Sequence, residues 1–599
     1  MFDVFYSLWT SAAAESLTAT GKNTSNFSSH PAAMKWIEEG ATQARKQQAE
    51  AAGLTLAEYE RLELRKTRSF LGLNWPEVKL LSVAGTGFFL DAYDLFIINL
   101  VQPIFQYEYW HGTSYPAGLR GLVSAGANIG NIFGQLSFGF LGDMFGRKYV
   151  YGKELIICII GTILVISLPN SIPGGGKKMI WIFIFRVLMG IGIGGDYPMS
   201  AAVTSERANL KRRGQMLAWI FSFQGWGNLA GSIVTIIVLA CFKPALQDRG
   251  EYNQLDAVWR IQFGVALVPS FLTIYQRLTM PESKKFTESQ SLSSSETGSI
   301  DYQKHPAPEK MNTGVAANVD GDLQQDGSLP REAGTGQAIG GTIDLAPSPT
   351  SRAKWNVFFT YFSEWRHAKI LIGTTVTWFL LDIAFYGVNL NQSVILAEIG
   401  FNTGNNEWHK LMRNAIGNLI ISAAGYVPGY WFTIAFIEIL GRRWIQVQGF
   451  LLCALFFAIL AGKWNSLSTG GHVALFALAQ FFFNFGANAT TFIIPAEVFP
   501  SRVKGFAHGL SAACGKVGAV FAALVFNYLQ GKIGIPKILW IFFACMILGA
   551  AFTFLIPETK ERDADLVDYE EVMEARRAKG GCNGNGPGSP TEHGRPAHI

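Results

Sequence analysis

Two short stretches, Asp143-Met144-Phe145-Gly146-Arg147-Lys148 and Glu438-Ile439-Leu440-Gly441-Arg442-Arg443, decide how this chain folds. Each is an acid, two apolar residues, a glycine and two bases, and each closes an apolar run. A second pair recurs further on, Pro281-Glu282-Ser283-Lys284 and Pro557-Glu558-Thr559-Lys560. A bilayer helix needs about 20 apolar residues. Working outward from the signatures, such segments fall near 79–101, 119–141, 151–169, 179–203, 214–240 and 259–280. They resume near 368–397, 411–438, 444–462, 471–498, 506–529 and 536–557. The Gly-Arg signature follows the second and eighth segments, and the Pro-Glu signature the sixth and twelfth. Matched signatures at matched places predict a duplicated unit. The expected fold is an all-α polytopic membrane protein of 12 transmembrane helices in two six-helix halves.

Composition supports this. Of 599 residues, 49% are hydrophobic and 16% charged, where a soluble chain carries roughly 25% charged. That excludes an ordinary cytosolic enzyme, a disordered scaffold and a disulfide-stapled module. The net charge of +5 includes no basic patch of nucleic-acid size, so no nucleic-acid partner is expected. The six cysteines show no CxxC spacing, so neither a disulfide framework nor a metal site is expected. There is no activated nucleophile or Walker-type phosphate loop, and hence no expected enzyme activity or cofactor. Residues 1–70 read as a cytoplasmic segment with a charged surface helix over 34–68, and 71–280 as the first half. Residues 281–366 read as a disordered cytoplasmic linker, 367–557 as the second half and 558–599 as a cytoplasmic tail. Lys and Arg concentrate in the terminal and central segments, which places both ends on the cytoplasmic side; the short loops alone decide nothing.

A charge at mid-bilayer costs about 3 kcal/mol or more, so each needs a partner or a use. The deep set is Asp91, Asp94, Glu154, Arg186, Asp196, Asp382 and Lys516. Lys516 lies about ten residues into its span, too far to snorkel. It serves either as a permanently paired cation or as the counter-charge of an anionic substrate. Trp378, Asp382 and Tyr386 recur every four residues and share one helix face. Asp196 and Tyr197 stand between Gly194, Gly195 and Pro198, a pattern that equally fits a kinked close contact between helices. Gln224 and Asn488 are neutral hydrogen-bonding groups at comparable depth, fit for interhelical bonding or for a ligand. Asp91 and Asp94 are three apart on neighbouring positions of a face. With Glu154 and Arg186 they form either a proton relay or a static ion cluster.

The Gly142-Asp143-x-x-Gly146-Arg147-Lys148 loop resembles that of the major facilitator superfamily, whose members hold substrate between two six-helix halves and rock them. Three longer strings resemble the fungal and plant phosphate:proton symporters. They are Gly192-Ile-Gly194-Gly195-Asp196-Tyr197-Pro198, Asn484-Phe-Gly-Ala-Asn488-Ala-Thr-Thr-Phe and Ser511-Ala-Ala-Cys-Gly515-Lys516. The resemblance covers roughly 75–280 and 367–560. It implies a phosphate pocket of Asp196, Tyr197, Gln224, Trp378, Asp382, Tyr386, Asn488 and Lys516. It also implies a proton-coupling cluster of Asp91, Glu154 and Arg186, with Asp94 beside them. Leu90 and Ala487 depart from the family pattern next to these strings.

Carboxylates in an anion pocket have a chemical reason. Dihydrogen phosphate carries two O–H donors that an ionised aspartate accepts, while Lys, Tyr, Trp, Gln and Asn donate to its oxygens. Sulfate brings no proton, and its charge would face the aspartates unrelieved. The expected function is import of inorganic phosphate with protons across the plasma membrane. A permease for a phosphate ester such as a glycerophosphodiester, and a phosphate-binding nutrient sensor, stay open on the sequence alone.

Overall fold

The computed structural model describes residues 75–279 and 351–571, apart from 113, 114, 209, 402, 405, 566, 569 and 570. The expected surface helix over 34–68, most of the expected linker and the tail beyond 571 lie outside the described residues. Among those described the secondary structure is all helical.

Eleven helices are long and apolar enough to cross a bilayer. They are α1 (Glu77–Trp110), α3 (Arg147–Ile166), α4 (Gly175–Arg207), α5 (Leu210–Cys241), α6 (Tyr252–Leu278), α7 (Trp365–Asn389), α8 (Glu407–Leu440), α9 (Arg442–Ser466), α10 (Thr469–Val498), α11 (Lys504–Ile533) and α12 (Ile535–Thr553). The remaining expected span is α2 (Ala117–Phe145), a 29-residue helix that falls short on apolarity. Its sequence spends seven positions on glycine and others on Ser124, Asn128, Asn131 and Gln135. The reason is packing. A Cβ on Gly130 would sit 2.0 Å from the Val187 carbonyl oxygen of α4, and one on Gly134 2.2 Å from that of Ile191. A Cβ on Gly139 would sit 2.7 Å from the Gly505 carbonyl oxygen of α11. The helix is wedged between two others and exchanges apolar bulk for closeness.

Two expected boundaries are corrected. The last part of 281–366 is not linker: Ser351–Ser363 is a helix. Its aromatic residues pack on the loop end of the molecule, where Trp355 stacks on Phe140 of α2 at 4.9 Å and meets Phe506 of α11 edge-on at 5.0 Å. The seventh span was expected to run to 397, but α7 stops at Asn389 and a separate helix follows at Gln392–Glu398. There the Asn391 amide donates back to the Gly387 carbonyl at 3.0 Å, a local bond that competes with continuing the helix.

The repeated signatures reproduce each other in side-chain detail. Arg147 pairs with Asp143 at 3.0 Å and with Glu206, at the end of α4, at 3.1 Å. Arg442 pairs with Glu438 at 2.7 Å and with Glu497, at the end of α10, at 2.8 Å. Each signature acid then reaches across to the other set of six helices. Asp143 accepts from the backbone N–H of Gly505 at 3.1 Å and of Phe506 at 2.7 Å, in the first turn of α11. Glu438 accepts from the N–H of Gln215, at the start of α5, at 2.9 Å. A carboxylate satisfies the otherwise orphaned amides of a helix start and opposes its dipole. The far end is joined as well. Asn99 of α1 donates to Asn418 of α8 at 2.8 Å, and the Trp408 indole donates to the Leu239 carbonyl at 2.7 Å.

The α2–α4 seam yields a first test. Gly134→Leu should force the helices apart and lower the melting temperature of the detergent-purified protein, at a cost of about 1–3 kcal/mol for overpacking. Gly118→Leu, on the same helix where a Cβ meets open space, should melt like the wild type.

Candidate functional site

The centre of the molecule is built around Lys516. Its ammonium donates to Asp382 Oδ2 at 2.9 Å and to the Tyr386 hydroxyl at 2.8 Å. It also lies 4.3 Å from the Tyr386 ring centre and 5.4 Å from that of Tyr197, where cation–π attraction adds to the pair. Lys516 is 2% exposed and Asp382 1%, so neither charge is eased by solvent. The α7 face predicted from four-residue spacing is realised: Asp382 and Tyr386 hold the ammonium, and Trp378 packs at its level against α11. Gly515 makes room for that indole, since a Cβ there would fall 2.5 Å from Trp378 Cδ1.

A second, neutral network spans the two sets of helices. Gln224 of α5 donates to the Tyr197 hydroxyl of α4 at 3.0 Å. In turn its carbonyl accepts from the Tyr430 hydroxyl of α8 at 2.7 Å and from Asn488 of α10 at 3.3 Å. Asn488 also donates to Tyr430 at 2.8 Å and to Asn484 at 2.8 Å. Phe88, Phe221 and Phe492 enclose Tyr197, with Phe221 and Phe492 stacked at 4.5 Å. Tyr430 and Asn484 were missed by the sequence reading. The signals were there: Tyr426 and Tyr430 lie four apart in an apolar run, and Asn484 opens the string that contains Asn488.

Asp196 is placed elsewhere than expected. Its carboxylate is taken up by Arg277 of α6 at 2.8 Å and by Ser200 at 2.6 Å, not by Lys516. Arg277 also holds Glu154 of α3 at 3.1 Å and lies 4.9 Å from the Tyr151 ring centre. This ion triad is at most 2% exposed. Gly87 of α1 is what admits it, because a Cβ there would fall 1.6 Å from an Arg277 nitrogen and 2.1 Å from Asp196 Oδ2. Asp91 stands within electrostatic reach of Asp196, Glu154, Asp94 and Arg277, and its Oδ2 is buried without a hydrogen bond.

Arg186, expected beside Glu154, instead donates to the backbone carbonyls of Val123 and Asp94, each at 3.2 Å. The arginine that meets Glu154 is Arg277, which was not among the deep charges singled out from the sequence. On α2, Asn128, Asn131 and Gln135 each keep both side-chain polar atoms buried and unbonded. A Cβ on Gly509 would touch the Gln135 carbonyl oxygen, and one on Gly121 the Ala523 carbonyl oxygen. Those two contacts fix the antiparallel register of α2 and α11 and put Asn128 at the level of Lys516.

Residues 80–570 match the family model described as "Sugar (and other) transporter". The chain belongs to that family of transporters. In fold this transporter is similar to the E. coli proton:xylose symporter XylE of the major facilitator superfamily. The TM-score is 0.58 at 18% identity, covering 82% of this chain and 98% of that one. In sequence it is 54% identical over 531 residues to a Schizosaccharomyces pombe protein provisionally named an inorganic phosphate transporter, covering 87% of this chain and 92% of the relative. It is 37% identical over 523 residues to the inorganic phosphate transporter PHO84 of Saccharomyces cerevisiae, covering 83% and 85%.

The triad can be tested for stability in this transporter. Arg277→Gln leaves two carboxylates buried without their cation. Losing one partner of a buried pair costs about 3–5 kcal/mol, so the variant should melt well below the wild type at pH 8. Acid neutralises unpaired carboxylates, so the gap should narrow at pH 5. A gap independent of pH would mean the triad is not an electrostatic unit.

Proposed function

We propose that this transporter carries inorganic phosphate, as dihydrogen phosphate, together with protons by alternating access. One observation carries the reading: a buried ammonium held by a carboxylate and a hydroxyl, with a network of hydroxyls and amides close by through Tyr197, in a chain similar to proteins named inorganic phosphate transporters. Taking α2 with the eleven apolar helices gives twelve spans in two halves of six. We place both chain ends on the cytoplasmic side and the protein in the plasma membrane.

Phosphate enters by exchange of partners. Gln224 donates to Tyr197, Tyr430 to Gln224 and Asn488 to both Gln224 and Tyr430, while the Lys516 ammonium donates to Tyr386 and Asp382. Phosphate oxygens can take over those donors and the ammonium, while Asp382 accepts from a phosphate O–H. Each bond gained replaces one given up, which keeps the net affinity modest enough for release. Trp378 walls the pocket and bears an indole N–H.

Glu154, Asp196 and Asp91 around Arg277 form the coupling cluster in this reading, with Asp94 and Arg186 beside it. Asp196 joins the coupling set because it is adjacent in sequence to Tyr197 of the pocket and ion-paired to Glu154's partner. A proton arriving on one of these acids loosens its hold on Arg277, and the strain reaches the pocket through α4. The unbonded amides of Asn128, Asn131 and Gln135 line the route between the pocket and the loop end.

Reconstituted in liposomes, the protein should accumulate radiolabelled phosphate faster with acid outside, and a protonophore should abolish the difference. Excess sulfate should not compete. Asp382→Asn should lower uptake by at least about tenfold, equivalent to ~1.4 kcal/mol, while eluting as folded protein on size exclusion. Uptake indifferent to the proton gradient would reject the coupling, and undiminished transport by Asp382→Asn would reject the pocket.

A further inference from the structure

Away from the centre, a cavity of about 300 Å³ opens at the loop end of the second set of helices. Its walls are the first turn of α7, the first turn of α9 and the chain after α12. Arg366, Lys369, Arg443 and Arg562 face it, with Asp568 and Glu571 opposite. The acids are already engaged. Asp568 holds Arg502 at 2.7 Å, while Glu571 holds Arg366 at 3.2 Å and His367 at 3.0 Å. Lys369, Arg443 and Arg562 form no ion pair among the described residues; the Arg443 guanidinium rests on the Phe554 ring at 4.9 Å.

Three cations without an ion-pair partner round one half-open space repel each other, and an anion seated among them would relieve that repulsion. The volume exceeds what a lone phosphate ion needs, corresponding to about ten waters at ~30 Å³ each. Arginine's fork matches phosphate oxygens, and each phosphate monoester brings about −1.5 to −2 charges. The surroundings give the depth. Trp365, Trp444 and Phe554 are 70%, 65% and 55% exposed beside the cavity, and exposed aromatics of this kind mark the headgroup layer of a bilayer.

We propose that this cavity binds a polyol bearing two or more phosphates, presented on a lipid headgroup or free in solution. The site is separate from the Lys516 pocket and does not depend on the transported substrate.

The test uses the full chain in nanodiscs, with thermal stabilisation as readout. One arm adds inositol hexakisphosphate to protein in phosphatidylcholine discs. A second uses discs containing phosphatidylinositol 4,5-bisphosphate, and a third phosphatidylserine discs of matched charge. Saturable stabilisation is expected in the first or second arm, the responding arm naming the source. The combined variant Lys369→Gln, Arg443→Gln, Arg562→Gln should raise the half-saturating concentration at least about tenfold, equivalent to a loss of ~1.4 kcal/mol. Should that variant not fold, Arg562→Gln alone carries the comparison, with a smaller shift in the same direction. Phosphatidylserine acting as well as the bisphosphate while the soluble polyphosphate is inert would overturn the proposal, as would variants that bind like the wild type.

Discussion

A charge withdrawn from water must be met by another charge, and the interior of this transporter is organised by that requirement. Lys516 is 2% exposed and is answered by Asp382 and a phenol. Arg277 is 1% exposed and is answered by two acids. Several structural details follow from these two needs. Gly87 is bare because the Arg277–Asp196 pair occupies the space a side chain would fill. Tyr197 sits between the two systems, its neighbour Asp196 bound to one and its own ring facing the ammonium of the other. Removing one partner of such a buried pair is far costlier than replacing both.

The residues of the proposed pocket are buried, every one at most 5% exposed. The neutral network lets such a state form without penalty. Tyr430, Gln224 and Asn488 satisfy one another across the boundary between the two sets of helices. The groups proposed to bind phosphate thus meet one another's polar demands directly.

The sequence displayed the duplication, because paired signatures survive as strings. It displayed the α7 face, because Trp378, Asp382 and Tyr386 keep helical period. It displayed α2 as a span near 119–141, although that helix trades apolar bulk for glycine at its crossings. Arg277 was hidden. Near a helix end, an arginine reads as an interfacial anchor, and only the lean of α6 against α1, α3 and α4 turns it inward to Asp196 and Glu154. The helix at Ser351–Ser363 was hidden by its neighbours: a polar, proline-bearing stretch precedes it, and its aromatic residues find their partners outside the helix, on α2, α7, α11 and Phe499. Asp196 fell inside the right string yet points to a different partner, because adjacent helical residues project about 100° apart.

The crossed signature acids have a mechanical meaning. Asp143 grips the start of α11 and Glu438 the start of α5, so each set of helices clasps the other with an equivalent hand. Two fastenings related by the duplication resist twisting about either one alone. A single freed clasp leaves the second as a pivot under full load, and parting becomes favourable only when both let go. Gene duplication thereby supplied a paired bolt whose release is cooperative by construction, from nothing more elaborate than the same acid copied into both halves of the chain.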